Sequence, residues 1–237
     1  MRKESFKNNK IYHIFNRGAD ERDIFLDGDD YQRFLDFARV YRYKNLRLRA
    51  LQSQKMTKLS PTSLNRIARP LVEVWAYVLV KNHFHFILRQ LVRNGITKFM
   101  HKLGTLYTLH FNEKHRKSGR LFEGPFKAIS VPEDNHLFSL SFYIHLHPAE
   151  FLAVPKLKGG KIKNWEEMLI AMEEYKWSSY PVYLGRKENK LVSQDFILNC
   201  FKKSKNSDGV KEYKKFIEEG LREGNKRLQK IEELLLD

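Results

Sequence analysis

Thiols are all but missing from this chain of 237 residues: Cys200 is its one cysteine. That excludes an intrachain disulfide framework and a zinc site built from several thiolates. Long apolar runs are missing as well. The longest, Val74–Val80, falls far short of the ~20 residues that a membrane helix needs. The start, Met1-Arg2-Lys3-Glu4-Ser5, lacks the apolar stretch of a signal peptide. Acidic side chains are the scarce charge, 28 Asp and Glu against 44 Lys and Arg, which leaves +16. What is present suffices for a core, with 42% hydrophobic and 13% aromatic residues. Disorder is therefore not expected. The reading is a soluble, cytoplasmic, basic protein with no membrane partner and a polyanion, nucleic acid above all, as its partner.

The excess charge is uneven. Residues 41–70 hold eight basic residues and no acidic one, among them Arg42, Arg47 and Arg49. Residues 91–130 hold eight basic and two acidic residues, while the last 37 hold ten and eight. Any one charge run is most simply a solvated face. Two runs flanking one candidate site point to phosphate contacts.

Residues 10–17 are aromatic and β-branched and predict a strand, which Gly18 stops. Asp29 and Asp30 are set to cap a helix carrying Phe34, Leu35, Ala38 and Tyr41. Residues 52–65 look like a loop or insertion. Strands are expected over 71–80 and 83–90, with a turn at Lys81-Asn82. After Asn94-Gly95, the residues Ile96, Phe99, Met100, Leu103, Leu106 and Tyr107 keep helical spacing. Residues 120–131 predict a further strand, interrupted at Gly124-Pro125. A helix starting at Pro132-Glu133-Asp134 should stop near His147, because Pro148 disfavours helical geometry in the residue before it. The order βαββαβ implies an α+β fold, a ferredoxin-like antiparallel sheet with helices on one face. Residues 1–150 would form that domain, with a basic insertion near 45–70, and 151–237 a helical C-terminal extension.

Two segments carry chemistry. In Asn82-His83-Phe84-His85-Phe86, strand alternation puts both imidazoles on one face and both phenyl rings on the other. Two nitrogens on a rigid strand are half of a divalent-metal site, though His-x-His also occurs as plain polar surface. In Tyr143-Ile144-His145-Leu146-His147-Pro148, a spacing of four puts Tyr143 and His147 on one helical face. A third imidazole there would complete a three-ligand site, beside which a tyrosine hydroxyl can attack phosphorus. The plainer reading is a half-buried core tyrosine. His145 faces another way and reads as structural or DNA-contacting.

As a set, these stretches resemble the single-tyrosine HUH transposases of the short insertion-sequence type, and within them the REP-associated tyrosine transposase branch. Tyr12-His13-Ile14-Phe15-Asn16-Arg17-Gly18 is similar to that branch's opening strand. Ile24-Phe25, Asp30-Tyr31 and Phe34-Leu35 resemble the helix that follows, and Tyr77 through His85 its metal strand. Gly119 through Gly124 with Phe126-Lys127-Ala128 resemble its fourth strand, and Tyr143 through Pro148 its tyrosine helix. Trp177-Ser178-Ser179-Tyr180 and Tyr183-Leu184-Gly185 resemble a motif after it. The likeness spans roughly residues 10–185, in order. Two departures stand out: His147 occupies a place where the family commonly has Asn, and Val80-Lys81 one where Met-Pro is frequent.

The resemblance implies an HUH nuclease fold and a single-stranded DNA transesterase. Tyr143 would attack a backbone phosphate to give a 5′-phosphotyrosine and a free 3′-hydroxyl, and a second 3′-hydroxyl would then rejoin the strands. His83, His85 and His147 would hold Mg²⁺ or Mn²⁺. Arg17, Arg42, Arg47, Arg49, Arg120 and Lys127 are the candidate DNA contacts. The substrate would be hairpin-forming repeat DNA with a short tetranucleotide at its foot, which puts the protein at the nucleoid. Oligomeric state stays open between monomer and homodimer. Two other readings compete: a non-catalytic ferredoxin-like module that binds DNA or RNA hairpins, and a metal-dependent hydrolase that uses water, with Tyr143 structural.

Overall fold

Alternation along the first strand decides where the core lies. The computed structural model describes residues 5–44, 68–132, 134–152, 165–188, 191–204 and 206–223. Its elements are β1 (Ile11–Arg17), α1 (Gly28–Tyr41), β2 (Val72–Val80), β3 (His83–Gln90), α2 (Gly95–His115), β4 (Lys127–Val131), α3 (Asp134–Leu152), α4 (Trp165–Glu174), α5 (Tyr180–Tyr183), α6 (Asp195–Cys200) and α7 (Gly209–Glu223). The four strands form one antiparallel sheet in the order β2-β3-β1-β4. Each βαβ unit is thus split by a strand of the other, the ferredoxin-like arrangement expected from the element order.

β1 pairs antiparallel with β3. Ile14 opposes Phe86 and Asn16 opposes Phe84, while Phe15 opposes His85 and Arg17 opposes His83. Directly opposed residues share a face, so one face carries Ile14, Phe84 and Phe86. There Phe34 of α1 lies 5.0 Å, ring to ring, from Phe84 and 6.2 Å from Phe86. Phe99 of α2 lies 6.2 Å from Phe86. Helices α1 and α2 therefore cover this face, and Tyr107 stands edge-on to Phe34 at 4.9 Å. The other face carries His13, Phe15, Arg17, His83 and His85.

Contacts divide the chain into two compact units. One holds β1, α1, β3, α2 and residues 127–130 of β4; the other holds Trp75–Val78 of β2 together with α3 to α7. Among the described residues, no helix is long and apolar enough to cross a membrane.

Three sequence expectations are corrected. The cap of α1 is Asp27, whose carboxylate accepts from the Asp30 N–H at 3.1 Å; Asp29 and Asp30 belong to the first turn. Helix α3 does not stop at His147 but continues through Pro148 to Leu152. Proline deletes one hydrogen bond to residue i−4 and crowds that carbonyl, a cost of ~3 kcal/mol. Burial of Leu137, Leu140, Phe142, Ile144 and Leu146 outweighs that local cost. The fourth strand is shorter than expected, beginning at Lys127. Before it, Phe122 makes only an isolated bridge to Gly18.

Candidate metal centre and tyrosine helix

The two chemically loaded segments fall in different units. His83 and His85 belong to the first, Tyr143 and His147 to the second, and each is described by itself.

On β3, the His83 and His85 rings stand 5.1 Å apart at 84° on one face. His83 is half-buried and His85 buried. Each has its Nδ1 engaged inside the unit. His83 Nδ1 donates to the side-chain carbonyl of Asn82 at 2.7 Å. His85 Nδ1 lies 2.8 Å from His13 Nε2. Phe15 stacks on His85 at 5.6 Å and 20°. Burial, helped by the Arg17 guanidinium, lowers the His83 pKa to about 4. Burial also lowers His13 to about 3. His83 is thus a neutral imidazole near pH 7, the protonation state that a metal ligand requires. His83, His85 and His147 each offer a ring nitrogen as a ligand atom.

On α3, the Tyr143 and His147 rings are 5.2 Å apart, one turn along the helix. Tyr143 is half-buried between the buried Phe142 and Ile144. The pairing follows from the helix passing through Pro148, which keeps His147 helical. His145 points into a closed network instead. Its Nδ1 lies 2.8 Å from the Tyr213 hydroxyl and its Nε2 2.7 Å from Ser179 Oγ. Ser179 Oγ in turn donates to the Tyr77 carbonyl at 3.1 Å and accepts from the Tyr77 N–H at 2.9 Å. One consistent set of protons satisfies all of these groups. Tyr213 donates to His145 Nδ1, and His145 Nε2–H donates to Ser179, which donates to Tyr77. Burial holds His145 down at a pKa of about 3, so it is neutral and structural. The stretch after Trp177 thereby gains a role: Ser178 bridges Val78, the Ser179 N–H binds the Tyr77 carbonyl, and the Tyr183 hydroxyl donates to the Trp75 carbonyl at 2.7 Å. This stretch covers the outer edge of β2, which would otherwise be an open strand.

Of the basic candidates, Arg17, Arg120 and Lys127 are exposed. They gather around Glu123: Arg17 Nε donates to it at 2.6 Å, and all three cations depress its carboxyl, Arg17 most. Arg42 is corrected. It is 2% exposed, donates to the Leu191 carbonyl at 2.8 Å and to the Tyr43 hydroxyl, and lies over the Tyr43 ring. Its long apolar stem and planar fork suit that buried place, so it serves the core rather than a DNA surface. Arg47 and Arg49 lie outside the described residues.

Sequence reasoning missed His13 and Asn82 as partners of the paired histidines. Only strand parity hints at His13, which shares a face with Phe15 and Arg17. A second cluster, Asp27, Asp30 and His115, also brings ligand atoms together. There the Lys114 ammonium sits 2.6 Å from Asp27 and 2.9 Å from Asp30, with His115 2.9 Å from Asp30. A cation already neutralises those carboxylates, so the group ties α1 to α2.

No family model and no curated protein matches the chain. Among solved structures, it is similar to a REP-associated tyrosine transposase bound to a REP hairpin. The TM-score is 0.46 and the identity 11%, over 78% of this chain and 85% of that one.

Proposed function

We propose that the chain is a metal-dependent, single-tyrosine transesterase acting on single-stranded, hairpin-forming DNA. The observation that carries the reading is the pair on β3: His83 and His85 present side-by-side imidazoles whose Nδ1 atoms are both engaged at hydrogen-bond distance. Surface histidines placed by chance have no need of such fixed rings. Metal-binding histidines do. The pairing of Tyr143 with His147 on α3, and the ordered motif likeness over roughly residues 10–185, support the same reading.

His83, His85 and His147 are the residues that would hold the ion, in a set open to further oxygen ligands. Neutral imidazoles suit Mn²⁺ better than Mg²⁺, which prefers oxygen. The ion's contribution would be charge neutralisation at the phosphate. In the proposed reaction the Tyr143 hydroxyl attacks phosphorus and gives up its proton. The bond to the 3′ oxygen breaks, that oxygen takes a proton, and a 5′-phosphotyrosine results. A second 3′-hydroxyl reverses the exchange, frees Tyr143 and joins the strands. One ester replaces another at each step, so no ATP is consumed. Arg17, Arg120 and Lys127 would hold the DNA backbone, with Arg47 and Arg49 as further candidates.

The test is incubation with Mn²⁺ and end-labelled hairpin single strands, followed by a denaturing gel. The expected result is a covalent adduct that Tyr143→Phe abolishes while hairpin binding persists. An adduct that survives Tyr143→Phe removes the nucleophile. Binding without any adduct or metal dependence favours the non-catalytic hairpin-binding module. Cleavage leaving a free 5′ end favours a hydrolase.

A further inference from the structure

The register of β1 against β3 sets His13 beside the paired histidines, and no role has been assigned to it. Its ring is 2% exposed. It lies 5.0 Å from the His85 ring at 17°, with Nε2 placed 2.8 Å from His85 Nδ1. We propose that His13 is a positioning residue: its Nε2 accepts the Nδ1–H of His85 and so turns the lone pair of His85 Nε2 toward a divalent cation. This rests on the metal reading above.

The argument is one of proton placement. A neutral imidazole carries one proton and one lone pair. A bond between two imidazoles can run either way. If His13 donated, the proton of His85 would sit on Nε2, and that atom could not ligate. If His85 donates, its Nε2 bears the lone pair. The neighbouring ring already presents the ligating arrangement. His83 Nδ1 faces the carbonyl oxygen of Asn82 at 2.7 Å, a pure acceptor, so the His83 proton is on Nδ1 and its lone pair on Nε2. Adjacent rings on one face then present the same atom. Phe15 holds the second ring by stacking on it. Partners of this kind usually include carboxylates or backbone carbonyls. An imidazole fixes the tautomer without adding negative charge beside a site meant to receive a phosphate.

Two measurements test this on the full chain. Long-range ¹⁵N–¹H correlation spectra of the metal-free protein, with His85 assigned by comparison to His85→Ala, should show His85 as the Nδ1-protonated tautomer. Titration with Mn²⁺, followed by the paramagnetic resonance of free ion, should show His13→Phe weakening affinity by about 10- to 100-fold. His13→Gln, whose carbonyl can accept, should recover part of the loss. His85 protonated on Nε2 overturns the proposal. So does wild-type affinity in His13→Phe while His85→Ala has lost the ion, and in that case the metal site itself stands. Absence of Mn²⁺ binding by the wild type, or no effect of His85→Ala, sinks the metal site and this proposal together. If His13→Phe does not fold, the tautomer spectrum decides.

Discussion

His145 and Ser179 are joined by a 2.7 Å hydrogen bond between two fully buried side chains, one on the tyrosine helix and one in the stretch that edges β2. Ser179→Ala removes the acceptor of two N–H donors, Tyr77 N–H and His145 Nε2–H, in a place water does not reach. Each stranded donor costs ~1–3 kcal/mol. We expect a loss of about 2–4 kcal/mol in urea unfolding. Ser178→Ala, which loses one acceptor of the Tyr180 N–H, should cost about 1 kcal/mol. Equal, small losses would show that the network is slack.

The same burial predicts how the metal-free protein responds to acid. His145 and His13 are each held near a pKa of about 3 by desolvation, whereas an unfolded chain titrates at ~6.5. Between those values the unfolded state binds more protons than the native one. The contribution is therefore fully present above pH ~6.5 and is lost as pH falls toward 3. The slope approaches ~1.4 kcal/mol per pH unit for each histidine. Denaturant melts at pH 7, 6 and 5 in chelator should show this fall, and a flat profile would mean the rings are hydrated.

Much of this arrangement is legible in the sequence, for definite reasons. Phe84 and Phe86 alternate with His83 and His85, and strand parity alone sends the phenyl rings to the core. Ile96, Phe99, Met100, Leu103 and Tyr107 mark α2 through their spacing. What stays illegible depends on partners distant in sequence. His13 gains meaning only from the register that sets β1 beside β3. Arg42 counts as positive charge until its guanidinium is seen on Leu191 and Tyr43. Pro148 is locally a stop signal, and only packing carries α3 past it. Asp29 and Asp30 read as caps until the Asp30 N–H is seen on the Asp27 carboxylate, with Asp30 turned to Lys114 and His115.

That last engagement predicts a further result. Asp30 is fully buried and accepts from the Leu26 N–H at 2.8 Å as well as from Lys114 and His115. Burial pushes its carboxyl up, but these partners together outweigh it and hold the pKa below the usual range. Its contribution is present above pH ~4 and is lost as pH falls below that. Asp30→Asn leaves the Lys114 ammonium short of a countercharge and takes a carboxylate acceptor from His115, and should cost about 2–4 kcal/mol at pH 7. It should also flatten the stability profile below pH 4. A variant as stable as wild type would show that Asp27 alone satisfies Lys114.

The exposed cations around Glu123 predict a salt effect. For single strands, log Kobs falls by ~0.7 per decade of salt for each phosphate contacted. Arg120→Ala and Lys127→Ala should each lower that slope by about 0.7, and should weaken binding alike for every hairpin sequence. Arg42→Ala should instead lower stability and leave the slope unchanged. A slope insensitive to Arg120 and Lys127 would move the DNA path elsewhere.

His147 offers the sharpest test of ligand chemistry, because it is where the sequence departs from the pattern it otherwise resembles. An imidazole favours Mn²⁺ over Mg²⁺, and an amide oxygen favours the harder ion. If His147 completes the site with His83 and His85, His147→Asn should raise adduct formation in Mg²⁺ relative to Mn²⁺, and His147→Ala should depress both. The readout is the ratio of covalent adduct formed in the two ions at matched concentration. Because the ratio is internal to each variant, a general loss of stability does not mimic the shift. An unchanged ratio in His147→Asn would place His147 outside the metal shell, and its 5.2 Å approach to Tyr143 would then serve to hold that tyrosine.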